Sequence, residues 1–219
     1  MRIKILICLS FILSFSQAQN TQRDFEDSVM TVFKNPSIKE PNRKIHDAIE
    51  HPLTSDSLEL KLYELRFGIM DKKEIHDLAV KALVDQGIML EYLGADSEQI
   101  LRKLREAQDY SIQHDDTTNL VWATIRISKH YLNNGQLNTT EELEATTFLI
   151  NNLDRKMDKE VAMLGYNHLA KRQLRFYDFK TALKYSTHSY ELAYTSRFKH
   201  NAIDIAGSIF IVKNQYRDT

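Results

Sequence analysis

The distribution of proline is the feature that most constrains the fold of this chain. All three prolines lie in the first quarter of the sequence, at Pro36, Pro41 and Pro52, and residues 53–219 contain none. Proline breaks helices because it lacks the backbone N–H and its ring clashes with the preceding turn. Good helix formers, mainly Leu, Ala, Glu, Lys, Gln and Arg, dominate the proline-free stretch. The sequence therefore predicts an all-α protein.

Apolar residues recur at helical spacing from Thr54 onward. Leu58, Leu62, Leu65 and Ile69 follow one another at intervals of four, three and four residues, which places them on one face of a helix. Similar patterns continue along the rest of the chain. They predict further helices over residues 75–93, 96–114, 120–133, 139–152, 159–175, 179–194 and 201–213.

The predicted helices are separated by short segments that carry signals for helix ends. Gly94 and Gly135 follow two of the helices, and glycine readily adopts the left-handed conformation at a helix C-terminus. Asp96 and Thr139 each precede a Gln or Glu by three residues, which is the spacing of a capping box. The order of helix, tight turn and capped helix therefore recurs along the chain. We expect each helical pair to bury its apolar face against a neighbouring pair.

Five residues of the hairpin over residues 159–194 match a known repeat. Tyr166, Leu169, Ala170, Phe179 and Ala182 occupy its large, leucine, small, aromatic and alanine positions. With this pattern the hairpin resembles the tetratricopeptide repeat, a pair of antiparallel helices about 34 residues long. The resemblance extends over roughly residues 75–219.

Other positions depart from the family pattern. Gln173, Tyr177 and Ser189 stand where the family has Tyr, Gly and Ala. The same register moved towards the N-terminus places Ser128 at the small position, 42 residues before Ala170, and Gly135 at the turn glycine. A still earlier unit places Ala95 at the turn glycine and Ala107 at the second alanine. The repeat is therefore divergent and longer than the family's, and a helical bundle without repeats is the alternative fold.

The resemblance implies a fold and a location for a binding site. Hairpins of this family stack as a right-handed solenoid, and the first helices of the hairpins line a groove that holds peptides. Carried over by position, the resemblance assigns Asn167, Lys171 and Arg175 to this groove. They follow one another at intervals of four positions and therefore share one helical face. We expect them to bind an extended or carboxylate-bearing peptide. A simple solvated helix face is the alternative interpretation.

The N-terminus has the features of a secretory signal peptide. Arg2 and Lys4 precede an apolar run, and Ser16 and Ala18 provide the small residues that signal peptidase requires. The pattern predicts cleavage after Ala18 and a secreted or periplasmic mature protein. An uncleaved membrane anchor is the alternative, although the apolar run is short for a bilayer span.

Charge and cysteine content exclude several classes of function. Loss of residues 1–18 would leave 27 basic residues, which is the full count of 29 less Arg2 and Lys4, against 30 acidic ones. The only cysteine, Cys8, would be lost with them, so the mature chain would have no disulfide or thiol chemistry. A mildly acidic chain has no excess of positive charge for nucleic acid or anionic lipid. We therefore expect neither partner, and no membrane span after the signal peptide.

No pattern of catalytic or metal-binding residues emerges. The eight histidines contain no HExxH-type pair, the cluster His114, Asp115 and Asp116 is explained by a turn, and we expect neither a metal nor any other cofactor. The sequence has no GxSxG motif and no glycine-rich phosphate loop. We expect no catalytic residues, and the chain is predicted not to be an enzyme. A helical hydrolase or lyase with scattered polar residues is the remaining enzymatic alternative.

Together these patterns predict three segments. They are a signal peptide over residues 1–18, a loosely organised entry segment over 19–53 and a tetratricopeptide-like domain over 54–219 that we expect to be truncated in its last repeat. The predicted function is an exported, non-catalytic scaffold that binds a peptide or protein partner. The alternative rests on the resemblance of such repeats to the periplasmic sensor portion of membrane-anchored signalling proteins, in which a helix-turn-helix transcription regulator or a histidine kinase is the output.

Overall fold

The computed structural model describes residues 21–33, 40–52, 54–153, 157–195, 205–207, 209–210 and 213–214. The predicted signal peptide over residues 1–18 and most of the predicted helix over 201–213 lie outside these ranges. All the regular secondary structure in the described ranges is helical, so the all-α prediction is confirmed. None of the described helices has the length and apolar character that a membrane span requires.

The helices agree closely with the pattern of apolar residues. They comprise α1 over residues 21–33, α2 Pro41–Ile49, α3 Asp56–Lys72, α4 His76–Tyr92, α5 Ser97–Gln113, α6 Thr117–Asn133, α7 Thr140–Asn152, α8 Lys159–Arg175 and α9 Phe179–Tyr194. The largest difference is at α6, which was predicted to begin at Leu120. It begins three residues earlier because the Asp116 side chain caps it, accepting a hydrogen bond from the Asn119 amide at 3.0 Å.

The chain divides after Asp96 into two compact units. In the N-terminal unit, α3 packs against both α2 and α4. Its core contains Phe33, Ile45, Leu58 and Leu62, all of them buried. The entry segment is thus more ordered than we expected, because α1 and α2 each bury an apolar side chain in this core.

In the C-terminal unit, α6 is the central helix. It contacts α5, α7 and α8, and α8 pairs in turn with α9. The core cluster around α6 contains Val121, Ile125, Leu149, Leu153 and Leu169. Helical hairpins in consecutive contact are therefore confirmed, while the right-handed solenoid stays a prediction.

Five of the turns between helices have the same backbone geometry. In each turn one residue has a positive φ, and the next amide donates to the carbonyl oxygen five residues earlier, over 2.9 to 3.1 Å. This is the hydrogen bond of the Schellman motif, which ends a helix sharply. The residues with positive φ are Glu74, Gly94, Asp115, Gly135 and Tyr177.

These turns give the spacing of the repeat. Gly94 and Gly135 are 41 residues apart, and Gly135 and Tyr177 are 42 apart. In the first of the predicted repeats, the turn residue with positive φ is Gly94. The prediction that placed Ala95 at this turn position was therefore wrong by one residue. Tyr177 adopts the left-handed conformation, φ 59°, that this position requires even though it is not glycine.

A small buried residue lies seven positions before three of these turns. Ser128 and Ala170 were predicted at this position, and both are buried. Gly87 lies at the equivalent place before Gly94 and is buried as well, although it was not predicted to occupy this position. A small buried residue therefore recurs at the same distance before the turns that follow α4, α6 and α8.

The orientation of α7 differs from what its most apolar residues suggest. Leu143 and Ile150, two of the most apolar residues of this helix, are 43% and 48% exposed. The buried face instead carries Glu142, Thr146 and Leu149. The helix is thus present as predicted, with two of its largest aliphatic side chains on the solvent side.

Candidate functional site

A groove runs between α6 and α8 in the C-terminal unit, with a cavity volume of about 180 Å³. We call it the α6–α8 groove. It lies where the first helices of two successive hairpins are in contact. Its lining residues are Ile125, Arg126, Lys129, Leu132, Asn133, Leu164, Asn167, His168 and Lys171.

The structure separates the three predicted binding residues. Asn167 and Lys171 both line the groove, whereas Arg175, one turn further along α8, is exposed but is not part of the lining. Arg175 is the last residue of α8. Two of the predicted residues are therefore brought together at a concave surface.

The opposite wall supplies residues that the sequence analysis missed. Arg126, Lys129 and Asn133 line the groove from α6. Lys129 lies 42 residues before Lys171, which is the spacing of the repeat, so applying the register to the whole face would have identified it. The lining contains three cationic side chains and no Asp or Glu. The groove is consequently electropositive even though the chain as a whole is not.

Several polar groups in the groove have hydrogen-bonding capacity to spare. Asn133, Asn167 and Lys171 make no hydrogen bond or ion pair with any other residue in the described part of the chain. Asn167 is also half-buried, and a half-buried amide without a protein partner must be satisfied by water or by a ligand. These side chains can donate hydrogen bonds to a carboxylate or a peptide carbonyl.

His168 forms part of the lining and is also a contact between two helices. Its Nε2 lies 2.7 Å from the Ser128 hydroxyl of α6. Burial, followed by the positive charges of Arg172, Lys129 and Lys171, lowers the pKa of His168 to about 4 despite the opposing effect of Glu142. The imidazole is therefore neutral at physiological pH, and the charge of the groove comes from its lysine and arginine side chains.

A buried ion pair holds α7 against α8. Arg172 donates from Nε to Glu142 Oε1 at 2.6 Å and from a terminal nitrogen to Oε2 at 3.0 Å. Thr146 and the Asn138 amide also donate to this carboxylate. Burial raises the pKa of Glu142, but the hydrogen bonds from Arg172, Thr146 and Asn138 outweigh it and hold the pKa below its usual value. The charge of Arg172 is thus neutralised within the protein.

This pair corrects the predicted capping box at the start of α7. Thr139 does accept a hydrogen bond from the Glu142 amide, at 3.3 Å. The Glu142 carboxylate, however, reaches the amide of Asn138 rather than that of Thr139, and its main partner is Arg172, 30 residues away. Half of the capping box is therefore present, and the acidic side chain ties two helices together.

Two serine–histidine contacts invite comparison with a catalytic pair. Besides Ser128 and His168, Ser97 lies 2.6 Å from Nε2 of His130. A nucleophilic serine must present its hydroxyl to a substrate. Ser128 is fully buried, and both histidines are at most 5% exposed. Such geometry suits hydrogen bonds between helices rather than attack on a substrate.

The cluster His114, Asp115 and Asp116 has the structural role that the sequence suggested. Asp116 caps α6, Asp115 has the positive φ of the turn, and His114 Nδ1 lies 2.8 Å from the Tyr110 carbonyl oxygen. Within the described ranges, no three side chains of His, Asp or Glu are placed to hold a metal ion together.

A cleft of about 280 Å³ lies between α8 and α9. His188 lines this cleft and packs at a tilt against Tyr166, with 5.4 Å between the ring centroids. The Tyr166 hydroxyl donates to the Leu153 carbonyl oxygen at 3.2 Å. Tyr166 therefore contacts α9 through His188 and the C-terminal end of α7 through Leu153.

Comparison with known proteins does not assign a function to these grooves. No protein-family model matches the chain, and no curated protein matches it.

Proposed function

We propose that this chain is an exported, non-catalytic interaction scaffold, and that the α6–α8 groove binds an acidic or carboxylate-bearing segment of a peptide or protein. The observation that carries the proposal is the convergence of Arg126, Lys129 and Lys171 on one groove without an acidic residue. The signal-peptide pattern over residues 1–18 supports export.

The geometry suits recognition of carboxylates in particular. Ammonium and guanidinium groups supply charge, while Asn133 and Asn167 supply amide donors from opposite walls. Ile125, Leu132 and Leu164 provide apolar surface for the aliphatic part of a peptide. The recurrence of the Schellman turn after 41 and 42 residues supports a tetratricopeptide-like arrangement, in which this face is the one that holds peptides.

Binding of a defined acidic peptide tests the proposal. The probe is a fluorescein-labelled octapeptide of alternating Leu and Glu with a free C-terminus, and fluorescence anisotropy measures its affinity. The Lys171→Glu variant should bind about 10- to 100-fold more weakly, because a charge-assisted hydrogen bond becomes a repulsion. Affinity should also fall as salt is added.

Arg175→Glu is the matched control, since it reverses the same charge on the same helix outside the groove. We expect at most a small change in affinity for this variant. Equal losses for the two variants would indicate a general effect of charge, and unchanged binding by Lys171→Glu would refute the proposed site. A probe in which Gln replaces Glu should bind poorly to the unmodified protein.

A further inference from the structure

A second groove, with a cavity volume of about 340 Å³, is formed by α5, α6 and α7. We call it the α5–α7 groove. It uses a different set of α6 residues from the α6–α8 groove, and the two have no lining residue in common. Its lining residues are Arg105, Gln108, Thr124, Ile127, Tyr131, Glu141, Glu144, Ala145 and Phe148.

The floor of this groove is largely apolar. The polar side chains that it contains already form hydrogen bonds with other residues of the protein. Ile127, Tyr131 and Phe148 supply aliphatic and aromatic surface. Gln108 donates to the Thr124 hydroxyl at 2.7 Å, and this hydroxyl in turn donates to the Leu120 carbonyl oxygen at 2.7 Å. The floor is therefore suited to an apolar side chain and has little capacity for further polar contacts.

The wall formed by α7 carries two carboxylates. Glu141 and Glu144 are exposed, lie three residues apart on one helix face, and make no hydrogen bond or ion pair within the described part of the chain. Like charges at this spacing repel one another, and a cation placed between them relieves the repulsion. On the other wall, Arg105 donates to the Tyr131 hydroxyl at 3.3 Å. A bound cation would therefore be favoured on the α7 side.

We propose that the α5–α7 groove is a second docking site, which takes a protein segment with an arginine or lysine beside a large apolar residue. The apolar side chain packs on Ile127, Tyr131 and Phe148, and the cation pairs with Glu141 and Glu144. The volume of about 340 Å³ is near the lower end of the range for ligand sites, roughly 300–1,000 Å³, and suits one or two side chains. The α5–α7 groove would thus bind a positively charged segment, whereas the α6–α8 groove would bind a negatively charged one.

NMR titration of the full chain with acetyl-Phe-Arg-amide tests this proposal. We expect chemical-shift changes concentrated at Thr124, Tyr131 and Phe148, with acetyl-Phe-Gln-amide binding more weakly. The double variant Glu141→Gln/Glu144→Gln should weaken the binding of the arginine probe by about fivefold or more, since the pairing charges are lost. The double variant Glu98→Gln/Asp109→Asn removes the same charge from exposed positions of α5 outside the lining and should bind as the unmodified protein does.

Three results would overturn the proposal. The first is an absence of saturable binding at millimolar probe, and the second is equal affinity for the arginine and glutamine probes. The third is self-association of the free protein that Glu141→Gln/Glu144→Gln abolishes, which would assign the groove to a second copy of the chain. Lys171→Glu lies outside the lining and should leave the binding of the arginine probe unchanged, so the two proposed sites can fail separately.

Discussion

The two units of this protein bury different kinds of side chain between their helices. In the described part of the N-terminal unit, Gln86 is the one buried polar residue, and it donates to the Tyr63 carbonyl oxygen. The C-terminal unit buries eleven polar or charged residues over its described length. These are Ser111, Asn119, Thr124, Ser128, His130, Glu142, Thr146, His168, Arg172, Ser186 and Ser189.

The difference in buried polar residues between the two units affects the specificity of helix packing more than the net stability. Apolar contacts between helices change little when one helix slides or rotates slightly, because the hydrophobic effect is non-directional. A hydrogen-bonded pair such as Ser128 with His168, or Glu142 with Arg172, is satisfied in only one register. His168 itself lines the α6–α8 groove, and Arg172 directly follows the lining residue Lys171 in α8. We infer that the polar contacts fix the positions of the groove walls, at the cost of sensitivity to substitution and to pH.

The largest effect should follow from breaking the buried ion pair. Arg172→Met leaves the Glu142 carboxylate buried without its main partner, which typically costs about 3–5 kcal/mol. Urea unfolding followed by the fluorescence of Trp122, the only tryptophan, measures this loss in the C-terminal unit. The double variant Glu142→Leu/Arg172→Met should recover most of it, since no buried charge then remains.

A matched substitution in the N-terminal unit sharpens the contrast. Leu62 is fully buried, and Leu62→Ala should cost a similar amount, about 2–5 kcal/mol, through loss of apolar contacts and formation of a cavity. Leu62 has no charged partner, so no second substitution comparable to Glu142→Leu should recover the lost stability. If Arg172→Met costs less than about 1 kcal/mol, the ion pair contributes little and the comparison between the units loses its energetic basis.

The next largest effect is the dependence of stability on pH. The pKa of His168 is about 4 in the folded protein and about 6.5 when unfolded, so between these values the unfolded state binds more protons. Stability of the C-terminal unit should therefore fall as the pH is lowered through this window, by about 3 kcal/mol at pH 4. Glu142, whose pKa is also lowered by folding, adds a further loss at the acidic end of the window, as the pH falls through its folded pKa.

Replacement of the imidazole isolates this contribution. His168→Gln keeps a hydrogen-bonding group near Ser128 but does not titrate, so its unfolding free energy should be nearly flat between pH 6.5 and pH 4.5. Amide hydrogen exchange compares the units directly, and protection of α3 and α4 should change less with pH than that of α6 and α8. An equal pH dependence in the His168→Gln variant and the unmodified protein would contradict the assignment.

The smallest expected effect concerns the turns that both units share. Tyr177 holds φ at 59°, and a left-handed conformation costs a side-chain-bearing residue about 1–2 kcal/mol that glycine does not incur. Tyr177→Gly should therefore stabilise the protein by about 1 kcal/mol, less whatever the edge-on contact with Phe179 contributes. Thermal unfolding monitored by circular dichroism measures the change.

The reciprocal change provides the control. At Gly135, φ is 68° and an added Cβ would meet no other atom within 4 Å, so Gly135→Ala isolates backbone strain from packing. This variant should be destabilised by about 1 kcal/mol. A change of the same sign in both variants would mean that side-chain contacts, and not backbone conformation, determine the stability of these turns.

Structural features that depend on neighbouring residues in the sequence were predicted correctly. Features that depend on contacts between residues far apart in the sequence were not predicted. The periodic apolar residues of α3 and the glycines after α4 and α6 are local features, and each appears as expected. Glu74 and Tyr177 carry no comparable turn signal, since neither is Gly, Asn or Asp, yet both adopt positive φ. Their turns are dictated by the packing of the helices on either side.

For the same reason, only part of the candidate site was predicted. Asn167 and Lys171 followed from the face of one helix, but the groove also requires Arg126, Lys129 and Asn133 from a helix about 40 residues earlier. The link between Glu142 and Arg172 spans 30 residues and has no signature in the sequence, because an acidic residue in the first turn of a helix already has a local explanation. Pairings of this kind emerge only when the helices are packed together.

The shared turn geometry has a consequence for how such a chain can evolve. Gly135 and Tyr177 occupy equivalent points of successive hairpins, with the same hydrogen bond following each of them. Unequal recombination at these two points would remove or duplicate one hairpin and leave the backbone at the junction unchanged. The number of hairpins, and with it the length of any surface they present, can therefore change in single genetic steps, while the chemistry of each groove evolves separately by substitution.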